Sequence, residues 1–261
     1  MLTKAKIELV KSLKAKKERS KHGLFIVEGW KSICDLLKSS FEIEEIFLLE
    51  TEKSKIHQFY PQQKVILVSE IEMKKCSFLT QPPAVLAIVR IPTRQIQWHD
   101  FGEKLTLVLD GVQDPGNLGT IIRTAHWFNI ETIICSTDTV DVFNPKTIQA
   151  SMGSVFFVNV YYGDLNKYIL KLKEINLASN WKIYGAFING QSIYDGHLTQ
   201  NGVIIIGNEG HGISKELEVE VDIKISIPCF SAIQTFKNAP DSLNAAVSSA
   251  LICSEFRRRS Q

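Results

Sequence analysis

The stretch Leu105-Thr106-Leu107-Val108-Leu109-Asp110-Gly111-Val112-Gln113-Asp114-Pro115-Gly116-Asn117-Leu118-Gly119-Thr120-Ile121-Ile122-Arg123-Thr124-Ala125 sets the fold class. An apolar run of strand length, 105–109, meets a turn rich in Gly, Asp and Pro and continues into a helical apolar pattern over 118–128. Continuing outward, strands are predicted at 132–135, 155–160, 182–187, 203–206 and 223–227, with helices from about Pro145, over 165–177 and at the end of the chain. Near-continuous apolar strands between amphipathic helices predict an α/β domain whose parallel sheet is covered on both faces. Ligands of such sheets bind beyond the carboxyl ends of the strands, where the Gly-rich loops gather.

Upstream the pattern differs. A Lys-rich helix opens the chain, followed by a short strand at 24–27, a helix over 29–38 and strands at 43–49, 65–68 and 84–89. This predicts a second, small α/β domain over residues 1–95. Pro82-Pro83, Ile91-Pro92-Thr93 and a polar run to Gly102 place a linker at 96–103 and start the parallel-sheet domain at 104–261.

Composition excludes several classes. The chain has 261 residues, 44% hydrophobic and 22% charged, with a net charge of +2. These values suit a globular protein with a sizeable core and exclude disorder and collagen-like sequence. No apolar run reaches the roughly 18 residues of a membrane span, and the first residues lack an apolar signal region, so a cytoplasmic, membrane-free protein is expected. The five cysteines (Cys34, Cys76, Cys135, Cys229, Cys253) are scattered without a Cys-x-x-Cys pair. Buried free thiols are expected, and no metal site.

Charge is uneven. Up to His22 the chain carries eight basic residues (Lys4, Lys6, Lys11, Lys14, Lys16, Lys17, Arg19, Lys21) against Glu8 and Glu18. Two readings stand: a solvated helix face, or a surface for a polyphosphate partner, where each Lys or Arg on a phosphate releases condensed counterions. Arg257-Arg258-Arg259 closes the chain as a second basic cluster.

Three loops of the second half carry the candidate chemistry. In the first, Asn117 is a competent helix N-cap, and Arg123 stacks over Gly119 four residues earlier. The unpaired N–H groups of that helix start favour an anion. The second loop is Gly207-Asn208-Glu209-Gly210-His211-Gly212-Ile213-Ser214. Its three glycines permit close backbone approach of a ligand, and it matches neither the dinucleotide fingerprint nor the phosphate loop of NTPases. Glu209 has two open readings, a partner for Arg123 or a helix-entry carboxylate, and His211 reads as an ordinary loop histidine. The third loop runs from Ile225-Ser226-Ile227-Pro228-Cys229 to Asp241-Ser242-Leu243-Asn244-Ala245-Ala246. There Asp241 or Ser242 is expected to cap a helix whose core stripe is Leu243, Ala246, Val247, Ala250 and Leu251.

In this order and spacing, the loops resemble the SpoU-type, TrmH-like RNA ribose methyltransferases of the SPOUT superfamily. The family's Asn-x-Gly-x-x-x-Arg-Ser/Thr-Ala is matched by Asn117, Gly119, Arg123, Thr124 and Ala125, and its Gly-Asn/Ser-Glu-x-x-Gly-Ile/Leu by Gly207, Asn208, Glu209, Gly212 and Ile213. Its Ile-Pro and Ser-Leu-Asn-x-Ala/Ser elements are matched by Ile227, Pro228, Ser242, Leu243, Asn244 and Ala246. The stretch from Lys17 to Gly29 is similar to the substrate-binding domain that precedes many members, itself similar in fold to an RNA-binding ribosomal protein. One departure stands out: the 13 residues from Cys229 to Asp241, without a glycine, replace a short glycine-containing linker.

The resemblance implies a trefoil knot in the C-terminal domain, a homodimer, and S-adenosylmethionine as cofactor, held by Gly207, Asn208, Gly212, Ile227, Pro228 and Leu243. It implies methyl transfer to a ribose 2′-hydroxyl of RNA, ribosomal RNA being favoured over transfer RNA, with Asn117, Arg123, Glu209, Ser242 and Asn244 as catalytic residues. Lys14, Lys16, Lys17, Arg19 and Lys21 are the RNA-binding candidates. The family's arginine has been proposed as general base. A guanidinium with a pKa above about 12 is a poor proton acceptor, so orientation of a phosphate and stabilisation of the developing alkoxide are the roles expected of Arg123. Two competing readings are a noncatalytic RNA-binding protein that kept the fold, and an enzyme acting on a small phosphorylated metabolite.

Overall fold

The computed structural model describes residues 2–59, 64–96, 98–101, 103–176, 181–195, 198–230 and 242–258, with residues 56, 58, 99 and 100 as backbone only. They form two compact units, one of residues up to Arg94 together with Asp141–Phe157, the other of Gln95–Val140 and Val158 onward.

In the first unit, α1 (Lys4–Ser12) and α2 (Lys16–His22) lead into β1 (Leu24–Glu28), α3 (Trp30–Leu37), β2 (Ile43–Leu49), β3 (Val65–Val68), α4 (Glu70–Cys76) and β4 (Val85–Arg90). The sheet order is β1-β4-β2-β3. The strands agree with the sequence reading to within a residue. The helix α4 went unread, although Ser69 and Glu72 form a capping box: Ser69 Oγ accepts from Glu72 N at 3.3 Å and Glu72 Oε2 accepts from Ser69 N at 3.0 Å.

Alternation along β1 divides the core. Ile26 joins Val10 of α1, Leu13 just after it, and Met73 and Cys76 of α4 on one face of the sheet. Phe25 points to the other, meeting Phe41 edge-on at 6.0 Å and Phe143 at 4.6 Å, while Phe41 also meets Phe156 at 5.4 Å. Thus residues 141–157, expected in the second domain, complete the core of the first unit. They form α6 (Pro145–Ser151) and one 3₁₀ turn at Ser154–Phe156. A strand was expected at 155–160, but Met152 and Gly153 both turn left-handed (φ 51° and 91°), so Val155 and Phe156 are buried on a turn and the strand begins only at Asn159.

A buried ion pair anchors this segment. Arg19 is 2% exposed. Its Nε and Nη2 donate to Asp141 Oδ2 at 3.0 and 2.5 Å, and Nη1 donates to the carbonyls of Leu13 (2.9 Å) and Lys14 (2.7 Å). Arg19 is therefore not an RNA contact, because its donors are engaged inside the unit.

The second unit holds β5 (Leu105–Leu109), α5 (Pro115–Trp127), β6 (Thr132–Ser136), β7 (Asn159–Gly163), α7 (Leu165–Ile175), β8 (Ile183–Ser192), β9 (Gly202–Ile206), α8 (Lys215–Glu218), β10 (Ile223–Ser226) and α9 (Ala245–Arg258). Its six strands, ordered β10-β8-β9-β5-β6-β7, all run parallel. Strands β5 and β9 are buried along their whole length, as a sheet covered on both faces requires. One face packs on Ile169 and Leu172 of α7 and Leu217 of α8. Tyr184 of β8 meets Phe256 of α9 edge-on at 4.9 Å.

The last helix departs from expectation. It begins at Ala245, and Asn244 caps it: Asn244 Oδ1 accepts from the N–H groups of Ala246 (2.9 Å) and Val247 (3.3 Å). Ser242 is therefore not the cap, and Asp241 lies outside the described residues. The buried stripe is Ala245, Ala246, Ser249, Ile252, Cys253 and Phe256. Leu243, Val247 and Leu251, expected in the core, are exposed. Three of the five cysteines are buried; burial raises the thiol pKa of Cys76 to about 11 and of Cys253 to about 12, and raises that of Cys135 as well. Cys34 and Cys229 are exposed.

Removing Arg19 leaves Asp141 without its charge partner, so Arg19→Met should destabilise the chain by about 3–5 kcal/mol. Chemical denaturation monitored by Trp fluorescence checks this; a loss below about 1 kcal/mol would show that the pair contributes little.

Candidate active site

In a parallel sheet the loops after β5, β9 and β10 leave from the same end. Asp110, Gly207 and Ile227 each open one of them. The amino end of α5 is capped by Asp114, whose Oδ1 accepts from Asn117 N at 2.8 Å, with Pro115 at the first helical position. Asn117 is thus inside the first turn, not at the cap, and its side chain is released for other partners.

Those partners come from the other two loops. Asn117 Nδ2 donates to Glu209 Oε1, and Asn117 Oδ1 accepts from Asn244 Nδ2 at 3.0 Å. One carboxamide chain, Glu209–Asn117–Asn244, joins all three motifs. Neither open reading of Glu209 survives, since its carboxylate holds Asn117.

Two further links tie the first loop to the second. Asp110 Oδ2 accepts from Ser214 N at 2.7 Å, and Asn208 Nδ2 donates to the Gly111 carbonyl at 2.7 Å. The Gly111 N–H donates to Ser136 Oγ at 2.9 Å, and Ser136 is bonded in turn to Thr139 (2.9 Å), whose Oγ1 reaches the Leu109 carbonyl (3.2 Å). Gly111 sits at φ 70°, where a side chain is disfavoured. Ser136 and Thr139 were missed by sequence reading; a buried Ser and Thr after an apolar strand carry no motif signal.

The second loop closes on itself through Asn208 N to Gly212 O (3.0 Å) and Gly212 N to Asn208 O (2.9 Å). Asn208 Oδ1 also accepts from Gly210 N at 2.8 Å. A Cβ on Gly207 would stand 2.3 Å from the Gly212 carbonyl carbon, so this closure requires glycine there. A Cβ on Gly212 would meet nothing within 4 Å, which leaves bare backbone at the rim.

Arg123 lies six residues along α5 from Asn117, about 9 Å at 1.5 Å per residue. It is exposed and, among the described residues, has no hydrogen-bond or ion-pair partner. An unengaged guanidinium on the helix that starts at the joined loops can receive an external anion. Ile227 and Pro228 follow β10 half-buried, and Ser242 and Leu243 stand exposed immediately before Asn244. Among the described residues no His, Cys, Asp and Glu cluster could hold a metal.

Comparison with known proteins fixes the class. The SpoU rRNA methylase family model matches residues 104–254, and the MRM3-like substrate-binding domain model matches residues 4–87. The chain belongs to the SpoU rRNA methylase family. As a member it is an RNA 2′-O-methyltransferase that uses S-adenosylmethionine. It is 30% identical over 253 residues to the 23S rRNA (guanosine(2553)-2′-O)-methyltransferase RlmP of Bacillus subtilis, covering 97% of this chain and 96% of that one. A TrmH-family protein of Porphyromonas gingivalis superposes with a TM-score of 0.86 at 32% identity, over 99% of each chain. The S-adenosylmethionine-bound rRNA methyltransferase of Sinorhizobium meliloti superposes with a TM-score of 0.83 at 26% identity, over 100% of this chain and 97% of that one.

The SpoU site so assembled suits a sulfonium nucleoside. A Cβ on Gly212 would meet nothing within 4 Å, and the exposed Leu243 offers an apolar surface. Because Asn117 is half-buried and its partners are exposed, losing its two bonds should cost under about 2 kcal/mol of stability. Asn117→Ala should therefore fold normally yet lose at least about tenfold in S-adenosylmethionine affinity by calorimetry, since the loops are no longer joined; wild-type affinity would refute the linking role.

Proposed function

We propose that this chain methylates a ribose of large-subunit ribosomal RNA, with Arg123 receiving the target phosphate and stabilising the alkoxide that forms on the 2′-oxygen. The observation that carries the reading is the Glu209–Asn117–Asn244 chain joining three separate loops, with Arg123 unengaged on α5. S-adenosylmethionine supplies an already activated methyl group, so the protein's work is to orient and desolvate the hydroxyl. Fixing attacking oxygen and methyl in line contributes up to about 7–11 kcal/mol at the ideal limit.

Gly207, Asn208, Gly212, Ile227, Pro228 and Leu243 are assigned to the cofactor, with Glu209 and Asn244 holding Asn117 in place and Ser242 beside the ribose. Residues up to Arg94, completed by 141–157, are the substrate-binding unit, and Gln95–Val140 with the chain from Val158 onward the transferase unit, on whose core Ile96, Trp98 and Phe101 of the expected linker pack; a knot in the transferase unit and a cytoplasmic place of work belong to the same reading. Lys14, Lys16 and Lys17 face RNA, whereas Lys21 pairs with Glu18. Preference for ribosomal RNA is supported by the name of the B. subtilis relative and by the substrate-binding match.

Homodimerisation is part of this reading. The α5–α9 pair leaves Trp127 83% exposed and also exposes Val247 and Leu251, spaced i, i+4 on α9. An apolar stripe of that spacing on a helix faces a partner.

Two measurements test the proposal. Arg123→Ala should lower kcat by about 10²–10³, the range for losing a preorganised charge stabiliser, with S-adenosylmethionine binding within about threefold; near-normal turnover would refute the role. No transfer by wild type to ribosomal RNA from cells lacking the protein would refute the activity itself. Separately, Val247→Glu with Leu251→Glu should give a monomer by sedimentation, whereas an unchanged mass would exclude this face as the interface.

A further inference from the structure

We infer that the end of the first unit where α1 and α4 finish side by side is a phosphate-binding surface for the RNA backbone, formed by Lys11, Lys14, Lys16 and Lys17 together with Lys74 and Lys75. The inference rests on the reading that RNA is the substrate, and adds to it a second helix that sequence reading never connected to the basic N-terminal segment.

The two helices run in the same direction. Leu2 N donates to Glu72 Oε1 at 2.5 Å near the start of α4, while Val10 near the end of α1 shares a core with Cys76 at the end of α4. Leu13 and Met73 belong to the same core. Lys11 and Lys14 are thereby brought to the last turn of α4, where Lys74 and Lys75 are exposed. The turn into α2 is fixed by Arg19, which donates to the carbonyls of Leu13 and Lys14 from inside the unit. That buried clamp leaves Lys14, Lys16 and Lys17 exposed on the outside of the turn.

Ion pairing sets the surface apart. Most lysines elsewhere in the unit are matched: Lys4 with Glu8, Lys6 and Lys64 with Glu45, Lys21 with Glu18, Lys38 with Asp35, and Lys55 with Glu52; Lys31, Lys53 and Lys146 also lack a carboxylate partner among the described residues, but each stands on a different element. The six lysines of the surface have no carboxylate partner among the described residues. The carboxyl ends of α1 and α4 offset part of the mutual repulsion through their dipoles. The remainder is relieved by a polyanion, and each phosphate engaged returns condensed counterions to solution.

The test compares wild type, Lys74→Ala/Lys75→Ala and Lys14→Ala/Lys17→Ala with a paired-lysine control, Lys64→Ala, all as full chains. The probe is a protein-free, unmodified large-subunit ribosomal RNA transcript, with binding measured across a potassium chloride series. Each double variant should lower the magnitude of the slope of log K against log salt by about 1.4–1.8, two contacts at roughly 0.7–0.9 each, and bind about tenfold more weakly at low salt. Slopes equal to those of wild type and control would overturn the inference. So would a defect seen only with ribosomal particles, which would assign the face to a protein. Slopes are read from binding alone, so failure of methyl transfer counts against the proposed function and leaves the slopes to judge this surface.

Discussion

The side chain of Asn117 bonds to Glu209 on one side and Asn244 on the other, and it can do so only because Asp114 already satisfies the amino end of α5. Without that division of labour, the carboxamide would serve as an ordinary helix cap and the three loops would end independently. The parallel sheet brings the loops to one end, but proximity does not set their geometry. A few hydrogen bonds do, from Asn117, from Asp110 to Ser214 and from Asn208 to Gly111. Each joins residues about a hundred positions apart, so the site exists only when the whole second unit is folded. Arg123, held by none of these bonds, stays available to whatever arrives.

The same logic separates support from contact in the first unit. Arg19 sits in the most basic part of the chain and has the chemistry of a phosphate ligand, yet it is buried and fully engaged by two carbonyls and Asp141. Arginine is suited to this task, since its rigid fork satisfies several acceptors while remaining charged. The lysines around it, with compact heads on flexible stems, are left for solvent or a ligand. Asp141 comes from residues 141–157, inside the range matched by the SpoU model but folded into the first unit. The substrate-binding half therefore depends on a segment from the transferase half for Phe143 and Phe156, which meet Phe25 and Phe41.

The end of the chain shows how a correct pattern yields a wrong face. Leu243, Val247 and Leu251 have helical spacing and apolar character, which in isolation marks a core stripe. Small residues, Ala245, Ala246 and Ser249, take the inner positions instead, because α9 lies close against α5 and leaves little room there. Helical period was legible; which side faced inward was not, because that depends on the volume available between α5 and α9.

Sequence alone determined the order of the strands and of the longer helices, the parallel class of the second sheet, the basic bias of the first segment and the membership of three short motifs in one family. These follow from local propensity, hydrophobic period and residue identity, which need no knowledge of distant contacts. Tertiary structure decided which residue capped α5, what Glu209 holds, that Arg19 is internal, that residues 141–157 complete the first unit, and that Ser136 and Thr139 brace Gly111. Each of those outcomes is a competition between donors and acceptors far apart in the chain, and only folding brings the competitors within reach of one another.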